Sequence, residues 1–370
     1  MSLIIMVAQG FFFIAGGLYF LGLLAGARKD KESLKEEDKR ESERINAVRK
    51  VSLGKPLTER ARPIAFSEIV GQEKALKALK VALCGSNPQH ILIYGPPGVG
   101  KTTAARVALE EAKLSSGTPF LRNARFIELD ATTLRYDERS FADPLIGSVH
   151  DPIYQGSGAY GAEGIPRPQA GAVSDAHGGV LFIDEIGELA TMQMNKLLKV
   201  LEDRRVFFES AYYSRNNKNI PRYIHNIFRE GLPADFRLIG ATTRSPSEIS
   251  PALRSRCCEI FFLPLGFGDV VKIIENAAER LGLGIENDAC NLLANYTANG
   301  RDSVRCLELL GNLLECENRT AVTRQDVLWA VRNGRFERRR NDFQAFTPTE
   351  KKSPKVPQKI VSLEEYFLKH

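Results

Sequence analysis

Eight consecutive residues, Gly95-Pro96-Pro97-Gly98-Val99-Gly100-Lys101-Thr102, have the glycine spacing and the closing Lys-Thr pair of a loop that wraps a chain of phosphates. Glycines at these places leave backbone N–H groups free to close on phosphate oxygens, where a side chain would intrude. Lys101 is then the cation for the β- and γ-phosphates, the Thr102 hydroxyl a ligand of Mg²⁺, and Thr103 the next residue of the cradle. A second pair, Asp184-Glu185, ends an apolar run, where an acid is costly unless a cation is near. Asp184 would hold Mg²⁺ through a water, and Glu185 would polarise the water that attacks the γ-phosphate. A third run ends in Thr242-Thr243, and Thr243 is placed to hydrogen-bond that water or the γ-phosphate. Together these residues describe hydrolysis of a nucleoside triphosphate, with ATP and Mg²⁺ as the expected ligands.

The elements around them agree. His90-Ile91-Leu92-Ile93-Tyr94 is a short apolar run feeding the glycine loop, and reads as a buried parallel strand. Ala104, Ala105, Val107, Ala108 and Leu109 follow as a helix, so the loop sits between strand and helix as its chemistry requires. Gly179 to Ile183 and Phe236 to Ala241 are two more such strands. Met194, Leu197, Leu198 and Leu201 fall at helical spacing and predict a helix packed on the sheet after the acids. The expected fold class is α/β with a parallel sheet. Pro251-Ala252-Leu253-Arg254-Ser255-Arg256 adds two cations that, by themselves, read as surface arginines.

The whole chain of 370 residues carries 51 basic and 45 acidic residues, a net charge of +6, too mild for a dedicated nucleic-acid binder. Six cysteines contain no C-x-x-C pair and the five histidines are scattered, which argues against a zinc site. Leu3 to Ala27 is free of charge and long enough to cross a bilayer, since roughly 20 apolar residues suffice. Arg28, Lys29 and Lys31 follow it and place that flank in the cytoplasm. A single-pass anchor over 1–27 is therefore expected, with the rest of the chain cytoplasmic. Residues 28–60 alternate acid and base and read as a solvated stalk, and 337–370, with Pro348, Pro354 and Pro357, as a flexible tail.

From about Pro63 to Arg335 the chain resembles the AAA+ ATPases. The resemblance is carried by Phe66-Ser67-Glu68-Ile69-Val70-Gly71-Gln72, the phosphate loop, the Asp-Glu strand, the Thr-Thr strand and Leu253-Arg254-Ser255-Arg256, in that order. It implies an α/β nucleotide-binding domain over 61–265 and a small all-α lid over 266–336. It also implies that Ile69 and Val70 close over adenine, that Thr243 is the first sensor, and that Arg256, rather than Arg254, is a finger offered to a neighbouring subunit. A finger in trans implies a homo-oligomeric ring, commonly a hexamer. The second sensor arginine is expected three places after Gly300, where this chain has Ser303, flanked by Arg301 and Arg305; of these Arg305 best resembles the Lon form.

Within that superfamily, Asp151-Pro152-Ile153-Tyr154-Gln155-Gly156, Gln169-Ala170-Gly171-Ala172-Val173, Ala176-His177-Gly178-Gly179-Val180 and Gly231-Leu232-Pro233-Ala234-Asp235-Phe236 are similar to membrane-anchored, B-type Lon proteases of spore-forming bacteria and archaea. That likeness implies a motor acting on protein substrates, with Tyr154 and Tyr160 in a substrate-gripping loop. No Gly-Pro-Ser-Ala-Gly segment of a Ser-Lys peptidase occurs, so peptide-bond cleavage is not expected from this polypeptide, whose peptidase would be a separate partner, truncated or lost. Two rival classes share parts of the wording. Leu238 to Arg244 also looks like branch-migration and clamp-loader motors, and Leu181 to Leu189 like transcription activators. The apolar N-terminus and the want of a DNA-reading segment argue against the first, and a missing Gly-Ala-Phe-Thr-Gly-Ala loop against the second.

Overall fold

The computed structural model describes residues 42–46, 57–134, 143–150, 165–217 and 220–336. The chain forms two units, Met1–Pro56 and Leu57–His370. In the first, residues 42–46 are helical and exposed. The expected anchor lies outside the described residues, among which no helix is long and apolar enough to cross a membrane.

The second unit is built on five strands, β1 (His90–Tyr94), β2 (Phe126–Asp130), β3 (Val180–Asp184), β4 (Arg237–Thr242) and β5 (Cys257–Phe261). They pair in parallel in the order β2-β3-β4-β1-β5. Parallel strands need helical crossovers, which cover both faces, and this explains why β1, β3 and β4 are apolar along nearly their whole length. Leu92 and Ile93 pair with Gly240 and Ala241, and Phe182 with Ile239, all of them buried.

Helices α1 (Glu73–Cys84) and α2 (Lys101–Leu114) share one core with the sheet, through Leu79, Leu83, Ala104, Ala108 and Ile93. A second core holds α3 (Thr191–Asp203), where Met194, Leu197 and Val200 meet Leu92, Leu181 and Leu238. Leu198 and Leu201, on the edge of the apolar stripe, are half-buried. Because all five strands run the same way, the segments that follow them emerge at one edge of the sheet, where parallel α/β folds place their ligands.

Two insertions leave this frame. Gly147–His150 pairs antiparallel with Arg167–Ala170, and Arg205–Val206 with Leu232–Pro233, enclosing α4 (Arg222–Glu230). They meet in a small cluster of Ile165, Ile220 and Ile224. Tyr154 and Tyr160 lie outside the described residues.

The C-terminal part consists of α5 (Phe267–Leu281), α6 (Asn287–Tyr296), α7 (Gly300–Glu317) and α8 (Arg324–Gly334). It is not wholly helical: Gly284–Ile285 and Ala321–Val322 form a two-residue parallel bridge that ties the entrance of α6 to that of α8. Asn299 caps α7 by accepting the Asp302 N–H at 2.9 Å. Asp326 receives the Thr323 N–H and hydroxyl, each at 2.8 Å, at the start of α8. Arg319 beside Asp326 holds that carboxyl down at about 2, an ion pair at 2.7 Å that fixes the α7–α8 turn.

Candidate nucleotide site

The phosphate loop turns from β1 into α2. Gly100, at φ 96°, is the residue that precedes the helix, a left-handed conformation that L side chains disfavour. Gly98, at φ 73°, is closed off for a second reason: a Cβ there would lie 2.6 Å from Asn299 Oδ1. The Gly300 N–H donates to Gly98 O at 2.9 Å, so the first turn of α7 rests on the loop.

Lys101 is 7% exposed, and its Nζ donates to the carbonyls of Gly95 (2.6 Å) and Pro96 (3.1 Å). Burial lowers its pKa, while Glu185 and Asp184 oppose that shift. Burial raises the Asp184 pKa; among the described residues its Oδ1 accepts only the neighbouring Glu185 N–H, at 3.1 Å.

Glu185 sits at φ 47°, a left-handed turn rare for a residue with a side chain. That turn aims its carboxylate at the end of β4, where Oε2 accepts both the Thr243 N–H (3.1 Å) and the Thr243 hydroxyl (3.0 Å). The two groups that the sequence assigns separately to the attacking water are thus joined to each other.

These residues line a cleft of about 570 Å³. Its walls include Pro97 to Thr103, Asp184 and Glu185, together with Ile69 and Val70. Thr243 is not among its lining residues; it reaches the cleft through Glu185. Gln72 anchors the Ile69–Val70 strap from behind: 3% exposed, it donates to Leu263 O at 2.7 Å and accepts Leu263 N–H at 3.0 Å.

Further cleft residues, Asp130 and Asn276 among them, carry no motif in the sequence. Asp130 ends β2 as Asp184 ends β3, and the two are paired in register. The alternation of Phe126-Ile127-Glu128-Leu129-Asp130 was the available signal. Asn276 comes from α5, and Arg301, one of the two arginines that flank Ser303, comes from α7.

Arg305 is not brought to the cleft. One turn further along α7, its guanidinium lies 5.8 Å from the centre of the Phe336 ring, and Arg301 lines the cleft instead. Arg254 and Arg256 precede β5 in the chain, and Arg256, next to its first residue, is separated from the far end of that strand by about 16 Å at roughly 3.3 Å per residue. Arg254 is committed within the chain, to Glu259 at 2.6 and 3.3 Å. Arg256 is 41% exposed, held only by Ala252 O at 2.9 Å and by Glu202 at 3.8 Å. It lines a separate cavity of about 470 Å³ with Arg204, Asp235 and Arg237.

Residues 65–259, which include the loop, both acids and Arg256, match the family described as magnesium chelatase, subunit ChlI. The chain belongs to this family. With that match and the site above, it is an ATPase of the AAA+ type. The ATPase is 55% identical to Lon protease 2 of Bacillus subtilis (strain 168) over 328 residues, which make up 89% of this chain and 59% of that protein. The chain thus spans less than two thirds of that relative's length. A replication factor C small subunit of Methanococcus vannielii is 27% identical over 270 residues, 72% of this chain and 68% of that protein. Among solved structures, the RuvB Holliday junction branch migration motor of Thermotoga maritima aligns with a TM-score of 0.49 at 22% identity, covering 74% of this chain and 73% of that one.

Proposed function

We propose that ATP hydrolysis in this cleft drives the remodelling of protein substrates, and that the chain is the motor part of a Lon-type ATP-dependent protease. The observation that carries the reading is the convergence of Lys101, Asp184 and Glu185 in one cleft, on a chain that is 55% identical to Lon protease 2 over most of its length. Lys101 would exchange its two carbonyl partners for the β- and γ-phosphates. Asp184 and Thr102 are the residues that would hold Mg²⁺. The fit lies in Asp184 itself, a carboxyl whose burial disfavours its charge and which has a single N–H for a partner. The ion would supply charge neutralisation at the phosphate oxygens. Glu185, aimed by Thr243, would take a proton from the attacking water. Ile69 and Val70 would close over the base.

Arg256 would serve a neighbouring subunit in a ring, which is supported by its exposure at the end of the sheet remote from its own cleft. The ring would be homo-oligomeric, commonly a hexamer. The uncharged run Leu3 to Ala27 with cations behind it supports a single membrane anchor and a cytoplasmic motor. The decisive experiment is Glu185→Gln. The variant should bind ATP as the parent does and hydrolyse it at least about 10²-fold more slowly, within the range that general-base catalysis supplies. Normal turnover in that variant would sink the mechanism.

A further inference from the structure

The base end of the cleft is lined largely by apolar side chains, with one carboxamide among them. Its walls are Ile69 and Val70 from the strap, Val304 from α7, and the face of α5 made by Ile273, Asn276, Ala277 and Arg280. These four fall at i, i+3, i+4 and i+7, one stripe of a helix. Ile273 and Ala277 are apolar. Arg280 is committed: it donates to Ala61 O at 2.8 Å and pairs with Glu68 at 2.7 Å, which buckles α5 to the strap across the cleft. Glu68 is engaged through Oε2, the same oxygen accepting the N–H groups of Ile64 (2.7 Å) and Ala65 (3.3 Å). Arg62, exposed at the rim, has donors only. Asn276 is half-buried and has no hydrogen-bond partner among the described residues.

We propose that Asn276 reads the nucleobase: its Oδ1 accepts from the exocyclic amine of adenine while its Nδ2 donates to the adjacent ring nitrogen. A carboxamide offers one donor and one acceptor side by side, and adenine presents the complement on either edge that carries its amine. An apolar slot with one such group fixes orientation as well as identity. The buckle one turn along α5 holds Asn276 at a set distance from Ile69 and Val70, so the same contact that closes the slot aligns its reader. This proposal rests on the ATP reading given above and assigns the residue that makes the site selective for that base.

The test compares ATP with purine riboside triphosphate, which lacks only the 6-amino group, on the full chain and on Asn276→Ala, by titration calorimetry. Alanine favours the helix and removes no existing bond, so the melting temperature should stay at the parent value. The parent should bind ATP about three- to tenfold tighter than the analogue, as expected for one neutral hydrogen bond. The variant should bind the two equally, with its affinity for inorganic tripolyphosphate unchanged. Persistence of the ATP preference in the variant, or its absence in the parent, overturns the proposal and leaves the ATPase reading intact. A parent chain that binds neither ATP nor tripolyphosphate refutes both.

Discussion

Thr243→Val separates two roles that the fold could give this residue. The substitution keeps the β-branched shape and the backbone N–H, and removes only the hydroxyl that donates to Glu185 at 3.0 Å. The backbone N–H at 3.1 Å remains, so the carboxylate loses one of two bonds that aim it. A hydrogen bond to a charged group contributes about 1.5–3 kcal/mol. If that orienting energy is realised in the transition state, turnover falls by about 10- to 140-fold at roughly 1.4 kcal/mol per decade. The KM for ATP should hold, because Thr243 does not line the cleft. Thr243→Ser keeps the donor and should stay within about threefold of the parent. Steady-state hydrolysis by all three proteins, with ATP and ADP affinities measured alongside, decides the matter. A Val variant with parental kcat refutes the positioning role. A Val variant that loses ATP affinity but not ADP affinity shows Thr243 acting on the γ-phosphate directly.

Three more outcomes are expected. Arg256→Ala should abolish hydrolysis, and mixing it with Lys101→Ala should restore part of it, because an intact cleft and an intact finger then meet across an interface; no recovery in the mixture counts against action in trans. His90 accepts the Leu238 N–H at 3.0 Å through Nδ1 and, desolvated by burial, has its pKa pushed down to about 4. Its contribution to stability is complete above about pH 6.5, the unfolded value, and is lost as pH falls toward 4. In His90→Gln the decline of melting temperature over that interval should be shallower, and an unchanged slope excludes His90 as its source. Deleting residues 1–27 should release the protein from membranes, and a truncated form that still sediments with vesicles places the anchor elsewhere.

The loop from Gly95 to Thr102 and the Asp184-Glu185 pair were legible in the linear chain because their chemistry is local. Glycines, a lysine and two acids must stand at fixed offsets from a strand end, and apolar runs of five or six residues mark those strands. The same locality explains the helix after the acids.

Other features depend on contacts between distant segments. Arg301 and Arg305 are four apart on α7, nearly one face of a helix, so spacing cannot choose between them. The choice is made by the Gly300–Gly98 hydrogen bond, which sets the first turn of α7 on the phosphate loop and leaves Arg305 to Phe336. Arg254 and Arg256 look alike in sequence; Glu259, across the turn into β5, takes the first and leaves the second exposed. The strand order that sets β4 between β1 and β3 brings Thr243 to Glu185. Sequence determined which groups this protein carries for phosphate chemistry, since bonding geometry along the chain fixes them. Tertiary structure decided which of them meet, since that depends on strand order and on helices closing over residues two hundred places away.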